Sequence, residues 1–178
     1  ISKFDAGSWF CKEFGNLYPP TLKEVLEFCS VKNIGVNIEL KPNKGFEKET
    51  VEAVINLVTS YKFTCQHYFS SFDWFSTILV KKFLPKSYVG ILIDVLNSKI
   101  DIKNILNQCK KHKLFLCGFN IKNISREIIA KCKEHGLLVT VFSSKNINKT
   151  EADLLWNFGV DSIFIDNPET YKKILQSN

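Results

Sequence analysis

Val36-Asn37-Ile38-Glu39-Leu40-Lys41-Pro42 reads as a short buried strand that delivers a carboxylate and an ammonium to its C-terminal end. Side chains alternate along a strand, so Asn37, Glu39 and Lys41 share one face while Val36, Ile38 and Leu40 share the other. Strands of a parallel sheet are apolar on both faces when helices cover them. Glu and Lys are rarely buried without a partner. A polar row here is therefore either a structural ion pair at a strand end that reaches water, or a metal or phosphate site.

Working outward, the strand is one of a series. Strand-like runs begin near Gly35, Cys65, Tyr88, Leu114, Leu137 and Asp161, at intervals of 30, 23, 26, 23 and 24 residues. Helical patterns fill the intervals over 49–61, 73–84, 100–112, 125–135 and 148–158, with a short final one over 169–175. A further helix opens ahead of the first strand at Thr21, where Leu22, Val25, Leu26 and Cys29 form one stripe. Thr21 with Glu24, and Asn148 with Glu151, have capping-box spacing, and Asp73 suits an N-cap. Gly136 and Gly159 suit left-handed C′ positions. Residues 1–20 are irregular, and Trp9, Phe10, Phe14 and Tyr18 predict that this segment packs onto something.

Strand and helix in alternation mean parallel strands joined by right-handed crossovers. That leaves a doubly wound open sheet or a β/α barrel. No G-x-G-x-x-G or Walker loop follows any strand, which weakens the nucleotide-binding sheet. An eight-unit barrel takes about 250 residues. Six runs in 178 residues fall two units short.

The bulk numbers fit one globular domain, 45% apolar and 24% charged. No apolar run approaches the ~20 residues of a membrane span, so stable membrane insertion is not expected. The net charge of +6 is carried by lysines spread along the chain. No basic block is interleaved with aromatics, which argues against nucleic acid as a partner. Six cysteines form no C-x-x-C pair. Cys29, Cys65, Cys117 and Cys132 read as small core residues in a reducing, cytoplasmic compartment, disulfides being possible if the protein is secreted. Ile1-Ser2-Lys3-Phe4-Asp5 has no signal-peptide form, and with no Met in the chain Ile1 is expected to be a processed end or the edge of a fragment.

In a β/α barrel the site lies at the C-terminal ends of the strands. There the six runs offer Glu39 and Lys41; Ser70, Ser71, Phe72 and Asp73; Asp94; Asn120; Phe142, Ser143 and Ser144; and Asp166 and Asn167. His112 and His135 fall at helix C-terminal ends, where a cation complements the helix dipole. His67 sits early in a strand, at the wrong end for the site.

These residues carry a specific resemblance. Asp5-Ala6-Gly7-Ser8-Trp9-Phe10, Pro20-Thr21-Leu22-Lys23-Glu24-Val25-Leu26, Asn37-Ile38-Glu39-Leu40-Lys41, Ser70-Ser71-Phe72-Asp73, and Gly159-Val160-Asp161-Ser162-Ile163 with Asp166-Asn167-Pro168 resemble, in order, five segments of the glycerophosphodiester phosphodiesterase family. The resemblance implies a TIM-type (β/α)8 barrel of which residues 1–178 hold the C-terminal two-thirds, about six of the eight βα units, with 1–20 closing the family's insertion. It implies metal-dependent hydrolysis of glycerophosphodiesters, small molecules of lipid and glycerol metabolism, to glycerol 3-phosphate and an alcohol. Glu39 would be a carboxylate ligand of a divalent cation, Mg²⁺ or Ca²⁺. Lys41 would hold a phosphate oxygen and stabilise transition-state charge. Phe72 and Phe142 would line the glycerol pocket, with Asn120 a further substrate-binding position on the rim. Ile165 stands where the family often has Thr, and Phe142-Ser143-Ser144-Lys145 where it often has Trp-Thr-Val-Asn. The family's His-Arg-Gly, its Glu-x-Asp metal pair and a nearby His-Asp would lie ahead of Ile1. Two alternatives stay open. One is a non-catalytic remnant or binding module that keeps the fold, and the other an unrelated phosphate-binding barrel.

Overall fold

A computed structural model of the chain describes residues 3–96 and 99–171. The strands are β1 (Val36–Leu40), β2 (His67–Ser71), β3 (Val89–Ile93), β4 (Leu116–Asn120), β5 (Leu138–Phe142) and β6 (Ser162–Ile163). Every pairing is parallel, and each strand lies beside its neighbours in sequence, in the order β1-β2-β3-β4-β5-β6. A doubly wound sheet reverses its order at a switch point. This sheet never reverses, so the barrel reading stands and the open sheet falls. The chain is six units of a (β/α)8 barrel, curled into an incomplete ring.

Helix α1 (Leu22–Lys32) precedes β1. The crossovers are α2 (Glu47–Ser60), α3 (Trp74–Phe83), α4 (Lys99–Lys111), α5 (Arg126–Glu134) and α6 (Lys149–Asn157). Their starts are set by local chemistry. Thr21 and Glu24 close a capping box on α1, and Asn148 and Glu151 close one on α6. Asp73 and Ser125 cap α3 and α5 through the amides of Ser76 and Ile128. Gly136 and Gly159 follow the ends of α5 and α6 at φ +70° and +91°, in the left-handed region that favours glycine. The expected final helix over 169–175 is, where described, a short 3₁₀ turn at Pro168–Tyr171. Residues 172–178 lie outside the described residues.

Alternation along the strands divides the apolar side chains in two. Ile38, Leu40, Phe69, Ile91, Ile93, Cys117, Phe119, Val139 and Val141 form one buried cluster with the helices. Leu92 and Leu116 are buried too but belong to the other face, inside the ring. Two glycines make that inner face close-packed. A Cβ on Gly118 would sit 2.4 Å from Leu92 Cδ2 and 2.8 Å from Thr140 Cγ2, and one on Gly90 would sit 2.7 Å from Leu116 Cδ2. All described cysteines are free thiols. Cys65, Cys117 and Cys132 are buried as expected, Cys109 joins them on the inward stripe of α4, and Cys29 is only partly buried.

Residues 3–20 differ from expectation. Trp9, Phe10, Phe14 and Tyr18 remain largely exposed. Phe10 packs instead against Trp9, edge to face, and against Phe14, tilted, at centroid distances of 5.8 and 5.9 Å. The segment is tied by Asp5, whose carboxylate accepts from the Ser8 hydroxyl and amide and from the amides of Asn16 and Gly7. Those bonds, the Ser8 hydroxyl foremost, hold the Asp5 carboxyl well below the usual carboxylate range. The knot leaves no room at Gly7, where a Cβ would sit 2.0 Å from the Phe14 carbonyl oxygen. That neighbour is backbone and cannot turn aside. Gly7→Ala therefore opens this segment, and limited proteolysis will cut within 3–20 faster than in the parent. Unchanged cutting would mean that the knot tolerates the shift.

Candidate active site

The C-terminal ends of β1, β2, β3, β5 and β6 converge on a cavity of about 220 Å³. It is lined by Glu39 and Lys41 from β1 and the residue beyond it, by Phe72, Leu92 and Phe142, and by Ser143 and Phe164. A larger groove of about 420 Å³ adjoins it and shares Lys41 and Phe72.

Each wall is fixed by hydrogen bonds that the sequence supplies locally. Glu39 lies opposite Ser70 in the β1–β2 register. One step below, the Ser70 hydroxyl donates to Asn37 Oδ1 at 2.9 Å, which joins the two inward polar side chains. Ser71 faces outward, donates to the Leu40 carbonyl at 2.8 Å and accepts from the Asp73 amide at 3.0 Å. Phe72 thus leaves the strand at a pinned point, just before Asp73 opens α3. It meets Phe142 edge to face, centroids 5.3 Å apart and planes at 84°, an arrangement aromatic quadrupoles favour. Leu92, held against Gly118, is the floor.

Glu39 is the unusual member. Its Oε1 is buried and accepts no hydrogen bond. Lys41 Nζ lies 3.4 Å away, within ion-pair range but without hydrogen-bond geometry. The Lys41 side chain is 74% exposed and that of Glu39 24%. A pair with one partner in water contributes about 0–1 kcal/mol. An unsatisfied buried polar atom costs about 1–3 kcal/mol. As a structural ion pair, this arrangement loses more than it gains. As half of a site for an external cation or phosphate, it is a carboxylate oxygen left free and an ammonium on a mobile stem. The Glu39 charge also reaches Tyr68, whose hydroxyl is pushed above its ordinary value first by burial and then by that carboxylate.

Of the five predicted site residues, Glu39, Lys41, Phe72 and Phe142 are brought together. Asn120 lies on the rim but outside the cavity lining. Its Nδ2 donates to Asp94 Oδ1 at 2.9 Å, and its Oδ1 caps a 3₁₀ turn through the Lys122 amide at 3.0 Å. Leu92 and Phe164 were not among the expected residues. Strand parity could have found them, since Leu92 shares a face with Gly90, and Phe164 with Ser162. The three histidines lie away from the cavity. His67 begins β2, His112 follows α4, and His135 ends α5.

A hard divalent cation takes several oxygen ligands. The free Glu39 oxygen suits one such ligand. Among the described residues, no three His, Cys, Asp or Glu side chains gather into a metal-binding group. The cavity therefore supplies one ligand and not a complete cation site.

A sequence profile of the Glycerophosphoryl diester phosphodiesterase family matches residues 1–170. The chain is 36% identical over 92 residues to a glycerophosphodiester phosphodiesterase of Caldanaerobacter subterraneus subsp. tengcongensis, an alignment that covers 52% of this chain and 38% of that protein. The chain thus spans well under half of that relative's length. Among solved structures, an Oleispira antarctica phosphodiesterase in complex with the product sn-glycerol-3-phosphate superposes with a TM-score of 0.86 at 25% identity, covering 99% of this chain and 69% of that one. A glycerophosphodiester phosphodiesterase of Agrobacterium tumefaciens superposes with a TM-score of 0.71 at 21% identity, over 96% of this chain and 68% of its own, a likeness of fold.

Proposed function

The chain belongs to the glycerophosphoryl diester phosphodiesterase family, and on that footing we propose that it carries part of the active site for hydrolysis of glycerophosphodiesters. Water adds across a P–O bond, giving glycerol 3-phosphate and an alcohol. The observation that supports this most directly is the free, buried Glu39 Oε1 beside the exposed Lys41 ammonium, under an aromatic wall.

The residues divide the work by chemistry. Lys41 has a flexible four-carbon stem and a compact charge. It swings from Glu39 to a phosphoryl oxygen and gains most when charge builds there. Phe72 and Phe142 present carbon to the glycerol backbone, and Leu92 closes the cavity beneath it. Glu39 would hold a divalent cation, which the family generally requires. Mg²⁺ and Ca²⁺ both suit a carboxylate, and when bound the cation polarises the phosphoryl group as a Lewis acid. With every histidine of the chain away from the cavity, none of them serves in proton transfer here.

The test is to supply the full-length protein with glycerophosphocholine and Mg²⁺ or Ca²⁺, and to follow glycerol 3-phosphate. Release that a chelator abolishes is the expected result. A folded protein that binds glycerol 3-phosphate and turns over no diester would support the binding-module alternative.

A further inference from the structure

The helices of this fold run antiparallel to the strands, so their last turns all arrive at the end of the ring opposite the candidate site. Two of them meet there in a groove of about 390 Å³, lined by Lys81, Lys82, Lys111, His112 and Lys113 above Ile78 and Pro85. Lys86 and Lys110 adjoin these positions in sequence. No acidic residue occurs between Asp73 and Asp94 or between Asp101 and Glu127. Lys81, Lys82, Lys86, Lys110, Lys111 and Lys113 together equal the chain's whole net charge of +6, so the remaining basic and acidic residues balance.

Helix capping alone does not call for so many cations. A helix C-terminus carries about half a negative charge, so two of them are matched by one lysine. Lys81 is already committed, its Nζ donating to the Pro85 and Ser87 carbonyls at 2.8 and 2.9 Å. Burial, and then the Lys113 charge, lower its pKa, as crowded cations do. The others have no such duty. Phe83, in the same turn as Lys82, is 44% exposed, and Tyr88, next to the Ser87 that Lys81 holds, is 64% exposed.

We propose that this face docks the protein on an anionic lipid bilayer, the lysines meeting the headgroup charge and Phe83 and Tyr88 reaching the interface. Clustered lysines flanked by exposed aromatics suit a planar, diffuse negative surface. The groove holds no arginine, the residue that reads phosphates and bases bidentately, which disfavours nucleic acid. First turns at the site end carry acids, among them Glu24, Glu47, Asp101, Glu127 and Glu151. The charge asymmetry therefore turns the cavity away from the membrane, toward dissolved substrate. No catalytic group takes part, so the proposal holds or fails independently of the hydrolytic reading.

The experiment is co-sedimentation of the full-length protein with vesicles of phosphatidylcholine alone or mixed with phosphatidylserine, at low and high salt. Binding only to the mixed vesicles, lost at high salt, is expected. The triple variant Lys82→Glu, Lys111→Glu, Lys113→Glu should bind at least about a hundredfold more weakly. A control, Lys12→Glu with Lys122→Glu and Lys3→Glu, makes the same charge change elsewhere and should bind nearly as the parent. Thermal melts check that each variant is folded. Equal loss in the control, equal binding to phosphatidylcholine alone, or preference for duplex DNA over the mixed vesicles would each overturn the proposal.

Discussion

Glu39→Gln is expected to abolish cation-dependent hydrolysis in the full-length protein while leaving its melting temperature nearly unchanged. Gln keeps the shape of the side chain and removes the charge. The fold loses little, because Glu39 Oε1 accepts no hydrogen bond and its ion-pair partner is largely in water. A hard-cation site loses an anionic ligand, which weakens it steeply. Calorimetric titration with Mg²⁺ or Ca²⁺ gives the second readout and should show binding weakened along with activity. Full activity at limiting cation would remove Glu39 from the site. A fall in melting temperature with cation binding intact would return it to the structural ion-pair reading.

Lys41→Met should lower kcat by roughly 10²–10³, the scale of deleting one preorganised electrostatic donor. Methionine nearly matches the length of the stem and leaves the apolar contacts. Because the ammonium is exposed and makes no hydrogen bond to Glu39, stability should hardly change. A rise in KM with kcat intact would mean that Lys41 holds the ground state and the transition state equally.

What could be read directly from the sequence was what the chain decides locally. The caps at Thr21, Asp73 and Asn148, and the glycines at 136 and 159, involve groups within a few residues of one another. The repeat of about 25 residues therefore placed every strand and crossover close to where it forms. Glu39 and Lys41 were legible because polar side chains interrupt a strand of buried apolar ones. Other features depended on neighbours that the sequence does not reveal. Leu92 became the cavity floor because Gly118, one strand away, has no side chain to displace it. Asn120 is engaged by Asp94 and its own turn, which no spacing predicts. The charge seemed evenly spread until the fold set 81–86 beside 110–113. The aromatics of 3–20 found each other where a partner element was expected.

The sequential order of the sheet has a consequence for how the molecule opens. Each strand bonds only to its neighbours in sequence, so the stack resembles a one-dimensional array in which order propagates from unit to unit. Cooperativity is then graded. β3 is buried at all five positions and has a strand on each side, whereas β6 has two residues, both partly exposed, and among the described strands only β5 beside it. For residues 1–178 taken alone, amide protons of β3 and β4 will exchange with solvent last and those of β6 early, through local fraying that never reaches the centre. Leu92 rises from the slow end of that gradient and Phe164 lies just past the fast end. In that form the cavity pairs a rigid floor with a wall that loosens more often.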